Sequence, residues 1–185
     1  DLLNREIFDV ADRYNALLIV DEAHSVGVVG ENLRGVFDLF GITPKDNHIK
    51  MGTLGKALGS YGAYILCSHH IAEFLQNRAK AIIYTTAPSL FDIALGYQGL
   101  LFILKHREKL KAEIKARHAI VEKSLGMNIE GLICSYPLKE DSNALSVQQH
   151  LIDEGFLVGA IRPPTVKSPI LRIIPRLAQS EEALT

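Results

Sequence analysis

The apolar positions of this chain follow two alternating periods. LLNREIFDVADRYN spaces its hydrophobic residues three and four apart, which predicts an amphipathic helix over Leu3 to Tyr14. ALLIVD, Ala16 to Asp21, is apolar as far as Val20 and predicts a fully buried strand. The glycine-rich stretch from Ser25 to Gly35 reads as a loop, and His48 to Met51 and Ala63 to Cys67 read as further strands flanking GTLGKALGSYGAYI. From about Ser89 to Leu125 the pattern is almost continuously helical, apolar as far as Leu104 and then charged through KHREKLKAEIKARH. Such a helix leaves one core and bridges to another. The expected boundary therefore divides residues 1–108, part of a larger domain, from 109–185, a small α/β domain built from LICSYPLK, ALSVQQHLIDEGFLVGAIRPP and ILRIIPR. Strands alternating with helices predict an α/β fold with a mostly parallel sheet.

Composition narrows the function classes. A chain of 185 residues, 48% hydrophobic and 22% charged, buries one good core or two modest ones. No run approaches the roughly 20 apolar residues of a membrane span, and a formal charge of −1 argues against broad binding to nucleic acid or an anionic membrane. Cys67 and Cys134 have no metal-ligand or disulfide spacing, which fits a reducing cytoplasm. The chain starts at Asp1 and runs straight into a helical pattern, while QSEEALT at the other end reads as a helix start, with Ser180 as N-cap and Glu181 and Glu182 in the first turn. The expectation is a piece of a longer protein.

LLIVDEAHSVG ends its strand on Asp21, Glu22 and His24, and ligands in open α/β sheets sit at the carboxyl ends of strands. One reading is a helicase-type ATPase whose acidic pair handles magnesium and water. KMGTLGKA is the nearest phosphate loop. It has Lys50 where the first glycine belongs and Ala57 where the magnesium-binding hydroxyl belongs, and it follows the acidic box instead of preceding it. The other reading groups Asp21, His24 and Lys56. A lysine amine forms a Schiff base with pyridoxal phosphate, a carboxylate keeps the pyridine nitrogen protonated, and a histidine reaches the phenolic oxygen. Thr53 offers a hydroxyl and a backbone N–H to phosphate, and Gly52, Gly55, Gly59 and Gly62 admit a cofactor close to the backbone. Taken singly, each of these residues has an ordinary structural explanation; it is the constellation that points to chemistry.

VDEAHSVGVVGENLRG, GTLGKALGSYGAYI, IIYTTAPS and AIRPPTV, in that order, resemble the α-oxoamine synthases, pyridoxal-phosphate enzymes of fold type I, the aspartate-aminotransferase fold. The IRPPTV and KALGSYGAYI forms are most similar to the biotin-pathway member. The resemblance implies that Asp21 pairs with the pyridine nitrogen, His24 contacts the phenolic oxygen, Thr53 binds phosphate and Lys56 is the Schiff-base lysine. It implies a homodimer with a shared active site, in which Tyr84, Thr85 and Thr86 close over the phosphate of the neighbouring subunit, Thr86 being the best match. Thr165 matches a substrate-contacting position. Arg172 matches the arginine that clamps the amino-acid carboxylate, with Arg162 as the second candidate. The implied reaction condenses alanine with an acyl thioester, carried by CoA or an acyl-carrier protein, with decarboxylation; the alternative is the reaction of another member of the family, which uses glycine or serine. Lysine-less members of the family act as regulatory partners, but Lys56 is present here.

Overall fold

The computed structural model describes residues 4–139 and 143–177, so the expected helix start at Ser180, Glu181 and Glu182 lies outside the described residues. The chain divides into two compact units, 1–111 and 112–185.

Unit 1 contains α1 (Glu6–Arg13), β1 (Leu18–Asp21), α2 (Val36–Leu39), β2 (His48–Thr53), β3 (Ala63–Leu66), α3 (His69–Arg78), α4 (Lys80–Ile83) and the first part of α5 (Leu90–Leu125). The strands form one sheet in chain order. β1 and β2 are parallel, with Leu18 opposite His48 and Asp21 opposite Met51. β3 returns antiparallel to β2, with Lys50 opposite Leu66 and Thr53 opposite Ala63. The mostly parallel arrangement expected from the alternating pattern thus holds for one of these two pairings. The reason is length: the 54–62 connection falls short of the dozen or more residues that a parallel crossover needs.

β1 was expected to be buried on both faces, and it is covered on one. Leu18 and Val20 are buried while Ile19 is 64% exposed. The covered face packs on Phe8 and Ala11 of α1 and on Val29, Val36 and Phe37, with Val28, Phe40 and Ile42 at the margin. The Phe8 ring meets Phe37 edge-on, with centroids 5.0 Å apart. α1 ends where Asn15 takes a left-handed conformation (φ 49°) and the Ala16 N–H donates to Ala11 O at 2.8 Å, the six-to-one bond that closes a Schellman motif.

Behind this core His48, 2% exposed, joins α1 to β2. Its Nδ1 accepts the Lys45 backbone N–H at 3.2 Å, so the ring proton sits on Nε2, 3.0 Å from Asp12 Oδ1. Asp12 also pairs with Lys45 Nζ and accepts from Asn47 Nδ2 at 3.3 Å.

Unit 2 contains the rest of α5, β4 (Cys134–Pro137), α6 (Ala144–Asp153), β5 (Gly159–Ile161) and β6 (Ile170–Ile173). Its sheet is ordered β4-β6-β5 with both pairings antiparallel. Asn143 caps α6 through its side chain, which accepts from the Leu145 and Ser146 N–H groups. Ile114, Arg117 and Val121 of α5 are buried along with Cys134, Ala144 and Leu171. The Arg117 guanidinium donates to Leu177 O at 3.2 Å.

The hydrogen bond from Lys45 holds the Asp12 carboxyl below its ordinary value of 3.8, against the opposing effect of partial burial. A carboxyl lowered in the folded state contributes stability that is complete above its unfolded value and is lost as pH falls through the folded one. Asp12→Asn is expected to lower stability at neutral pH and to flatten the acid limb of the stability profile. Urea unfolding across an acid-to-neutral pH series measures both.

Candidate functional site

The segment after β1 is built around Glu22. Its side chain is fully buried, and its carboxylate accepts the Val36 N–H at 2.6 Å, the Phe37 N–H at 3.3 Å and the Ser25 hydroxyl. Lys50 Nζ lies 3.3 Å from Glu22 Oε1 and donates to Arg34 O at 2.6 Å. The residue before these amides is Gly35 (φ 99°), where a Cβ would stand 1.8 Å from Glu22 Oε2. Only glycine fits there. Asp38 plays a similar part for the outer turn, accepting from Asn32 N at 2.6 Å, Asn32 Nδ2 at 3.0 Å and Arg34 Nη2 at 3.2 Å. Burial pushes its carboxyl upward, but these hydrogen bonds outweigh it and hold the group below its usual range.

Glu22 is thus a structural centre that the residue pattern alone did not separate from the metal-handling acid of an ATPase. A carboxylate already saturated by two amides, a hydroxyl and an ammonium has no lone pair to offer magnesium or water, and the ATPase reading falls on that. The signal was present as Glu22 and Gly35 in VDEAHSVGVVGENLRG, but their meeting depends on how the loop folds back.

With Glu22 turned inward, Asp21 turns outward. It is exposed, and its Oδ1 accepts the Ala23 N–H at 2.9 Å. Side chains alternate along strands. Because Asp21 stands opposite Met51, Asp21 and Thr53 lie on the same face and at the same end of the sheet. His24 is exposed in the turn that follows.

Lys56 occupies the connection between β2 and β3, which is closed by Leu54 N–H to Gly62 O at 2.9 Å and Ser60 N–H to Leu54 O at 2.8 Å. The Lys56 side chain is exposed, and its carbonyl accepts the Gly59 N–H at 3.0 Å. Thr53 Oγ1 donates to Gly62 O at 3.0 Å and accepts from Gly55 N–H at 3.2 Å. Gly52 has a requirement of its own inside the chain: a Cβ there would lie 2.3 Å from the Tyr64 ring. Gly59 and Gly62 have positive φ, leaving Gly55 as the glycine of this stretch where a Cβ meets only an ordinary contact, Ser60 O at 3.5 Å.

Tyr84, Thr85 and Thr86 follow α4 and are all exposed, Tyr84 by 81%. In unit 2, Arg162 lines a cleft of about 450 Å³ with Asn143, Ala144, Lys167, Ser168 and Pro169. Thr165 is exposed and its N–H donates to Arg162 O at 3.0 Å. Arg172 sits in β6 opposite Ser135 and Gly159, its side chain exposed. Asp21, His24, Thr53, Lys56 and Tyr84 to Thr86 belong to unit 1, and Arg162, Thr165 and Arg172 belong to unit 2.

The family model for aminotransferase class I and II matches residues 4–184. The chain belongs to this family. It is 45% identical over 168 residues to the 8-amino-7-oxononanoate synthase of Helicobacter pylori strain J99, covering 91% of this chain and 45% of that protein. It is 38% identical over 181 residues to a putative 8-amino-7-oxononanoate synthase of Trichodesmium erythraeum, covering 90% of this chain and 45% of the other. The chain thus spans about half the length of the curated relatives it matches. Among solved structures it is similar to the 8-amino-7-oxononanoate synthase of Francisella tularensis, at TM-score 0.81 and 27% identity, covering 97% of this chain and 55% of that one. It also shares its fold with the serine palmitoyltransferase of Sphingomonas wittichii, at TM-score 0.83 and 23% identity, covering 97% and 47%.

The fold is therefore fold type I, and pyridoxal phosphate is the cofactor of the aminotransferase class I and II family to which the chain belongs. The residues present suit that group: an exposed carboxylate for a ring nitrogen and a hydroxyl for a phosphate share one sheet end, with an exposed amine in the adjoining turn.

Burial first, and the Glu22 charge second, push the Tyr64 phenol above 10.0. Glu22→Gln strands Lys50, and breaking a buried pair in this way typically costs about 3–5 kcal/mol. The variant is expected to unfold earlier in urea, and its Tyr64 phenol to titrate closer to 10.0, read by ultraviolet absorbance with Tyr64→Phe as the reference.

Proposed function

We propose that this chain is part of a pyridoxal-phosphate-dependent acyltransferase that condenses L-alanine with a pimeloyl thioester, releasing carbon dioxide and the free thiol to give 8-amino-7-oxononanoate for biotin synthesis. The observation that carries this reading is the 45% identity to a protein of that name, over a stretch that includes Asp21, Thr53 and Lys56. No other α-oxoamine synthase is favoured over it. The thioester is carried by CoA or by an acyl-carrier protein.

When bound, pyridoxal phosphate supplies an electron sink for the pair left behind by the α-proton. In the proposed site Lys56 Nζ anchors the cofactor and, once released by the incoming amino acid, takes that proton. Asp21 keeps a proton on the ring nitrogen, and His24 hydrogen-bonds the phenolic oxygen. Thr53 holds phosphate, which requires its hydroxyl to leave Gly62 O. Arg172, or else Arg162, clamps the amino-acid carboxylate through paired N–H donors, and Thr165 touches the substrate.

The proposed protein is a homodimer in which Tyr84, Thr85 and Thr86 complete the partner's phosphate site. The support is a run of exposed apolar side chains beside them, with Leu90 88% and Phe91 75% exposed. The unit boundaries serve as domain boundaries in this proposal, with the large domain ending near residue 108. Two free thiols, Cys67 and Cys134, suit the reducing cytoplasm as the place of action.

In the full-length protein, borohydride treatment is expected to fix pyridoxal phosphate to the peptide that contains Lys56. Lys56→Ala is expected to abolish that attachment and turnover while the cofactor still binds reversibly. A reduced adduct that survives in Lys56→Ala would remove Lys56 from the proposal. Exchanging subunits between Lys56→Ala and Thr86→Ala dimers is expected to restore part of the activity, since one hybrid site carries both native residues. Confirmed hybrids with no recovered activity would count against a shared site.

A further inference from the structure

The Lys56 turn is wedged between two other parts of unit 1. On one side, a Cβ at Gly27 would lie 2.5 Å from Ala57 Cβ and 3.3 Å from Ile103 Cδ1. On the other, α5 presents Asp92, Gly96, Gly99 and Ile103, spaced four, three and four apart and so on one face. Ser60 Oγ donates to Asp92 O at 2.6 Å. A Cβ at Gly96 would meet Leu54 Cδ2 at 3.2 Å, whereas one at Gly99 would meet Leu58 O at 2.4 Å, its carbonyl carbon at 3.0 Å and its Cα at 3.1 Å. At Gly99, then, the helix touches backbone, and no side-chain rotation relieves an added methyl.

Glycine inside a helix works against helix formation. α5 carries two on the face where the turn rests. We infer that Gly99 and Ser60 are positioning residues that set the depth and angle at which Lys56 is presented. Gly59 N–H bonds to Lys56 O, so residues 56–59 form one closed turn, and displacing the Leu58 carbonyl carries the Lys56 peptide with it. Since Gly27 abuts Ala57, the same wedge also sets the turn against the segment that follows Asp21. The inference rests on the proposed role of Lys56 as cofactor anchor and adds to it the surface that aims that lysine.

The test uses full-length apoprotein mixed with pyridoxal phosphate. Two quantities are read: the rate at which the borohydride-reducible link to Lys56 forms, and the pH midpoint of the bound cofactor's absorbance change. Gly99→Ala is expected to slow link formation about ten- to a hundredfold, the scale of penalty that a displaced catalytic group carries. Its midpoint is expected to move while reversible cofactor binding stays near wild type. Ser60→Ala is expected to act in the same direction, about three- to tenfold. Adding Leu58→Ala to Gly99→Ala is expected to give no rescue, because the collision is with backbone.

A role limited to stability would lower the melting temperature and leave the midpoint where it is. Wild-type rates and midpoints in both single variants overturn the inference. Should Gly99→Ala not fold, Ser60→Ala decides by the same two readouts. Wild-type protein that forms no link at all would instead strike the proposed function on which the inference stands, so the two failures are told apart by which protein fails.

Discussion

The first unit depends on one buried carboxylate. Glu22 sits where β1 ends, and a charge in that position is tolerable only because Lys50, two backbone amides and a hydroxyl meet it there. Each of those partners comes from a different place: Lys50 from the neighbouring strand, the amides from the start of α2, the hydroxyl from the turn after β1. Satisfying one side chain therefore pins strand, turn and returning loop together. It also commits the chain's alternation. With Glu22 pointing in, Asp21 has to point out, onto the face where Thr53 emerges from β2.

That commitment connects packing to chemistry. The connection from β2 to β3 is short, closes on Gly62 and rests on α5, so Lys56 is held beside the strand ends while its amine stays in solvent. Asp21, Thr53 and Lys56 bring three different chemistries, acid, hydroxyl and amine, to one end of a three-stranded sheet. A carboxylate, a hydroxyl and an amine are the groups that suit a phosphorylated pyridine, the kind of cofactor used by the aminotransferase class I and II family.

Much of this was legible in the residue order. ALLIVD read as β1, the flanks of the lysine stretch read as β2 and β3, and Ser89 to Leu125 read as one long helix, which α5 is. What escaped was whatever depends on side chains meeting across the sequence. Glu22 looked like half of an acidic pair because its partners Val36 and Phe37 lie on the far side of a loop. Gly52 looked like room for a cofactor, whereas the group that needs the space within the chain is the Tyr64 ring one strand away. β1 looked buried on both faces because ALLIVD is apolar up to Val20, yet Ile19 is open in this chain. Apolar runs state what a strand tolerates, and the register states which side is used. The shared face of Asp21 and Thr53 is likewise a property of register, which no local pattern specifies.

The central claim is that the inward turn of Glu22 aims Asp21 at the cofactor's ring nitrogen. Nitrogen NMR on full-length protein loaded with isotope-labelled pyridoxal phosphate tests it at the atom concerned, because protonated and neutral ring nitrogens resonate far apart. The account predicts a protonated ring nitrogen at neutral pH in the wild-type protein and a neutral one in Asp21→Asn that is otherwise folded and loaded. A neutral nitrogen in the wild type, or a protonated one that survives Asp21→Asn, would contradict it.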